Sequence, residues 1–136
     1  MNRTINLKHL TILLVSILLV SYFSSCKKDD GSISLNKWKL IEQYSDPGDG
    51  SGEFNPVESN KTLEFFSNGT VVSNGSLCNM SIETDGQSTA TFTDSTLITQ
   101  DCELDNFAVY YQILDDNMIL WYPCIEGCAQ KYQKIE

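Results

Sequence analysis

The sequence predicts an all-β domain, a small antiparallel up-and-down barrel of about eight strands held by two disulfides. Three observations lead there. Short runs alternate apolar and polar residues, with Gly, Asn and Asp between them. No stretch after residue 26 repeats with the helical period. Four cysteines follow Cys26, namely Cys78, Cys102, Cys124 and Cys128, and an even number in an exported domain reads as paired.

Residues 1–25 explain why export is expected. Arg3 and Lys8 precede an eleven-residue run from Leu10 to Val20, and Ser24 and Ser25 stand just before Cys26. That is the pattern of a secretory signal. The run is too short for a bilayer-spanning helix, which needs about 20 apolar residues. Small residues followed by Cys resemble the lipobox of bacterial lipoproteins, with Phe23 where Leu is usual. The resemblance implies removal of residues 1–25 and a lipid (palmitate) on the Cys26 thiol. Lys27-Lys28-Asp29-Asp30 resembles the export tag of surface lipoproteins in Bacteroidota, which implies an outer-membrane anchor and a domain at the cell surface. By composition alone, the same four residues suit a solvated tether over residues 26–34. Acyl chains would supply the membrane affinity, at about 0.8 kcal/mol per buried CH₂, with more than one chain for a stable anchor.

Cleavage before Cys26 leaves 111 of the 136 residues, enough for one modest core. It also removes Arg3, Lys8 and His9. Nine basic residues become seven, all Lys, against eighteen acids, a formal net of −11. Phosphate binding needs clustered Lys and Arg, so nucleic acid is not an expected partner. Without His or Arg, Ser-His-Asp and Cys-His catalysis, imidazole zinc sites and arginine clamps are all excluded. Carboxylate pairs of the glycosidase kind remain formally open, although eighteen acids on a small domain produce pairs by chance. The expectation is a protein without enzymatic activity, cofactor or metal.

The domain then occupies residues 35–136. The first strand is expected over Lys37 to Tyr44, with Trp38, Leu40 and, after a shift, Tyr44 facing inward. Thr62 to Ser67 and Thr70 to Ser73 are joined by Asn68-Gly69, the signal of a two-residue hairpin loop. Further strands are expected at Cys78 to Glu83, Ser88 to Thr93 and Thr96 to Gln100, each bounded by turn residues. Phe107 to Leu114 follows, with Phe107, Val109, Tyr111 and Ile113 on one face. Asp115-Asp116-Asn117 turns the chain into Met118 to Tyr122, and a last strand runs over Ala129 to Ile135. Closure into a barrel would remove the exposed edges of this meander.

Four cysteines allow three connectivities. Cys124-Ile125-Glu126-Gly127-Cys128 lies between two strand-like runs, and a three-residue hairpin loop wants a left-handed last residue, where Gly127 stands. That places Cys124 opposite Cys128, within bridging distance. The favoured framework is Cys124–Cys128 with Cys78–Cys102. The main alternative is 78–124 with 102–128. A metal or redox reading of the Cys-x3-Cys is the other alternative, but thioredoxin-like sites use Cys-x-x-Cys followed by a helix.

The elements Lys37-Trp38-Lys39-Leu40, Asp46-Pro47-Gly48-Asp49-Gly50-Ser51-Gly52, Thr62-Leu63-Glu64-Phe65 and the hairpin from Cys124 to Tyr132 together resemble the lipocalin-like (calycin-type) domains of Bacteroidota lipoproteins. Asn36 stands where true lipocalins carry a Gly two residues before the Trp, and this chain is shorter. The resemblance implies a barrel with one end plugged by Trp38 and an interior able to hold a small apolar ligand. Trp38, Phe65, Tyr111, Leu120 and Tyr132 are the candidate ligand-facing residues. So short a barrel can instead be filled by its own side chains. The alternative function is therefore a solid-core subunit or inhibitor that binds another surface protein through its loops.

Two further features have plain readings. Asp46, Asp49 and Glu53 offer oxygens for calcium, but not at EF-hand spacing, and a surface loop built on Gly and Asp explains them. Asp94-Ser95-Thr96 resembles a short O-glycosylation motif of exported Bacteroidota proteins.

Overall fold

Alternation puts Trp38 and Leu40, Leu63 and Phe65, and Met118, Leu120 and Tyr132 on the buried face of their strands. The sheet that carries them curls until its last strand meets its first. The computed structural model of the protein describes residues 31–103 and 107–136. The expected signal, Cys26 and most of the tether lie outside the described residues. Nine strands form: β1 (Ser34–Ser45), β2 (Glu53–Pro56), β3 (Thr62–Phe66), β4 (Thr70–Ser73), β5 (Ser88–Phe92), β6 (Thr96–Thr99), β7 (Ala108–Leu114), β8 (Asn117–Trp121) and β9 (Cys128–Lys134). All pair antiparallel in the order β2-β1-β3-β4-β5-β6-β7-β8-β9, and β9 pairs again with β1. Eight strands thus close an up-and-down barrel, and β2 is an extra.

β2 and β3 lie on the same edge of the long β1. β2 pairs with residues 42–45 and β3 with residues 34–39. Between them the Val57 amide donates to the Ile41 carbonyl and the Leu40 amide to that of Lys61, so the intervening residues leave the ladder. Both disulfides are present, Cys78–Cys102 with Cα atoms 5.4 Å apart and Cys124–Cys128 with 6.1 Å.

Four expectations are corrected. Cys78 to Glu83 is not a strand but part of a loop over residues 74–87. Its own side chains take the amides a ladder would need. Ser76 Oγ accepts from Cys78 N–H, Asn79 Oδ1 from Ser81 N–H, and Ser81 Oγ from Glu83 N–H, the Asx- and Ser-turn competition with β structure.

The Asn68-Gly69 hairpin has three loop residues, not two. Phe65 pairs with Val71, and only Gly69 of the loop has a positive φ, 84°. A type I′ turn would need positive φ at Asn68 as well.

Tyr44 faces outward. The β1–β9 register shifts between Leu40 and Glu42, so Gln43 follows Leu40 on the inner face while Tyr44 pairs with Ala129 and packs on Trp121 outside. A bulge of one residue exchanges the faces of everything after it.

Gly127 is not left-handed. β8 ends at Trp121, one residue before the expected Tyr122, and the Tyr122 amide donates to the Cys128 carbonyl. The connection is therefore longer than three residues.

Candidate functional site

The five candidate ligand-facing residues all lie on the barrel's inner face, where they touch one another rather than empty space. Trp38, Phe65, Leu120 and Tyr132 are buried in one cluster with Leu40, Leu63 and Met118. Tyr111 is half-buried, with its ring centroid 5.9 Å from that of Phe65 and its hydroxyl donating to the Thr93 carbonyl at 2.6 Å. Phe92 completes an edge-on group at 5.1 Å from Phe65. Each large side chain so buried contributes about 1.5–3 kcal/mol. Trp38 Nε1 donates to Asn36 Oδ1 at 2.6 Å, which satisfies the indole inside the barrel.

The other end is closed by the 74–87 loop. β3 begins only at Thr62, β4 stops at Ser73 and β5 starts at Ser88, so the wall here is short and residues 76–82 cover the gap with Leu77 fully buried. A polar clamp holds this segment. Lys61 Nζ donates to the carbonyls of Ser76 (2.6 Å) and Ser81 (2.9 Å) and to Gln130 Oε1 (3.2 Å). Gln130 Nε2 donates to the Met80 carbonyl at 3.0 Å, and Gln43 Nε2 reaches that same carbonyl. Gln130 Oε1 also accepts from the hydroxyls of Tyr122 (3.0 Å) and Tyr132 (2.8 Å).

Lys61 is fully buried. Desolvation brings its ammonium from 10.5 down to about 8. Burial pushes the Tyr122 and Tyr132 phenols up, so both stay neutral donors. Among the described residues every buried side-chain polar atom has a hydrogen-bond partner, as a buried network requires. Lys61, Gln43 and Gln130 are residues that sequence reasoning missed. Gln on a strand and Lys just before one read as outward-facing, and the pairing of residues 61 and 130 has no local signature.

At the same end, Asp46 organises the glycine-rich loop. Its Oδ1 accepts from the amides of Gly48 (2.7 Å) and Gly50 (3.1 Å), and its Oδ2 from Gly52 N–H and Tyr44 O–H, both at 3.2 Å. These donors, the Gly48 amide foremost, hold the Asp46 carboxyl below its usual range despite desolvation. Gly48 and Gly50 take positive φ, 96° and 77°, as the plain reading of this loop expected. Tyr44 in turn packs on Phe54 (5.3 Å) and Trp121 (5.8 Å), fastening β2 to the barrel wall. Lys131 lies 3.1 Å from Glu42 and 5.8 Å from the centre of the Phe54 ring. Ile125 stands fully exposed at the tip of the Cys124–Cys128 loop.

A cleft of about 740 Å³ opens between residues 57–60 and 82–84, with Lys39, Ile41 and Gln133 on its floor. Exposed Glu58 and Glu83 stand on its two sides, and its lining holds no aromatic side chain to carry a sugar ring. No group of three His, Cys, Asp or Glu side chains among the described residues is placed to hold a metal ion. Comparison of the chain with protein-family models, with curated proteins and with solved structures returns no match.

Proposed function

We propose that this chain is a non-enzymatic lipoprotein of the bacterial outer membrane. It is anchored through Cys26 at the cell surface and binds another surface protein through the loop end of a solid barrel. The observation that carries this reading is the sealed interior. Trp38, Phe65, Leu120 and Tyr132 are spent on one another, and the clamp of Lys61, Gln130 and Gln43 fixes the covering segment in place. A small apolar ligand would have to displace that packing.

The loop end is also the stiffened end. Asp46, the two disulfides and the clamp order its loops in advance, which reduces the entropy lost on association. Ile125, exposed on a disulfide-closed tip, supplies an apolar anchor of the kind protein interfaces use. The acidic balance of residues 26–136 favours a partner with basic surface over nucleic acid.

Photo-crosslinking in intact cells tests the reading. A crosslinking amino acid at Glu83 or Ile125 is expected to capture one recurrent protein, whereas the same group at Gln112 on the barrel wall captures none. Identical capture from all three positions would contradict it.

A further inference from the structure

We infer that the end of the barrel opposite these loops rests on a lipid bilayer of neutral headgroups. Eight large hydrophobic side chains are notably exposed among the described residues, and five of them share one rim: Ile33, Leu35, Ile113, Leu114 and Ile135, between 47% and 69% exposed. They come from the start of β1, the end of β7 and the segment just after β9, all at the same end of an antiparallel barrel. Backbone bonds fix the rim segments that carry them: Ser67 N–H to the Ile33 carbonyl, Ile135 N–H to that of Lys37, and Lys134 N–H to that of Asp116. Scattered exposed aliphatics need no explanation, but a rim of them marks a contact surface.

The occupant follows from where the chain enters this rim. The inference rests on the proposed anchor at Cys26, seven residues before Ile33, and seven residues reach at most about 25 Å. A lipid on Cys26 therefore keeps this end within about 25 Å of the membrane. Asp94, Asp115, Asp116 and Glu136 outnumber Lys134 and Lys37 on this rim, Lys37 being paired with Glu64, so anionic headgroups would be repelled and neutral ones accepted. The aliphatic side chains would enter the interfacial region, adding to the affinity of the acyl chains.

The lipidated full-length protein, recovered from membranes and reconstituted in phosphatidylcholine vesicles with brominated acyl chains, tests this. Leu114→Trp and Ile135→Trp report the rim from two strands, and Ile125→Trp reports the loop end. Emission is read against unbrominated vesicles after subtracting the change of the parent protein. The added emission at Leu114→Trp and Ile135→Trp is expected to fall about two-fold or more, with Ile125→Trp unchanged. Vesicle flotation in the same samples separates the two ideas. Protein that floats with its rim reporters unquenched, or with all three quenched alike, overturns the seating and leaves the anchor standing. Protein that does not float overturns the anchor, and the seating with it.

Discussion

Lys61 and Gln130, 69 residues apart in sequence, meet inside the barrel with Nζ 3.2 Å from Oε1. The ammonium there is surrounded by two carbonyls and an amide oxygen, with no carboxylate partner among the described residues. Its protonation therefore opposes folding. With the folded value near 8 and the unfolded value near 10.5, the folded state binds fewer protons between them. Stability should rise with pH from about 8 to 10, by up to roughly 1.4 kcal/mol per unit. Above 10, Tyr122 and Tyr132 ionise more readily in the unfolded chain, and stability should fall. Urea titrations across pH 7–11 check this, and the Lys61→Met protein should lack the rising limb.

Asp46→Ala should loosen the loop it caps while leaving the barrel intact. The amides of Gly48, Gly50 and Gly52 lose their acceptor together. Hydrogen exchange over residues 47–52 should quicken, with the core strands unaffected. Because its folded pKa lies below 3.8, the carboxylate's contribution is fully present above that value and disappears as pH falls through the lower folded one. Acidification of the native protein should therefore reproduce the loop phenotype of the variant.

Gly127 is required for space rather than for φ. A Cβ there would come within 2.8 Å of Tyr44 Cε1, a ring already packed between Phe54 and Trp121. Gly127→Ala should cost about 1–3 kcal/mol, the price of overpacking. Gly86→Ala meets nothing within 4 Å and should change stability by less than about 0.5 kcal/mol. Denaturant midpoints of the two variants decide the point.

The two disulfides should differ in worth. Separations of 24 and 4 residues correspond, in the chain-entropy model, to about 3.5 and 2 kcal/mol. Replacing Cys78 and Cys102 together by Ser should lower the thermal midpoint further than the same change at Cys124 and Cys128. Paired calorimetry on the double variants measures the difference.

Much of the barrel was legible because strand periodicity and turn residues are local signals. Apart from residues 78–83, the meander from Thr62 to Lys134 follows from alternation, and the Cys124–Cys128 pair forms although Tyr122, not Cys124, faces Cys128 across the hairpin. What escaped depends on context. The bulge after Leu40 shows only in the pairing of β1 with β9, and without it Tyr44 falls on the wrong face. Residues 78–83 carry the composition of a strand, but their Ser and Asn side chains divert the amides and distant Lys61 and Gln130 take the carbonyls. The five candidate ligand-facing residues lie on the inner face, four of them buried in the core cluster. Whether such residues line a lumen or fill it depends on how closely the walls approach, which no single strand encodes.

The sealed interior is the claim on which the rest depends, and ligand retention addresses it most directly. Protein recovered from its native membrane should be examined by native mass spectrometry, then denatured and its released lipids quantified. A mass equal to the acylated chain alone and no stoichiometric release are expected. One equivalent of a non-covalent lipid or other apolar molecule leaving on denaturation would contradict it.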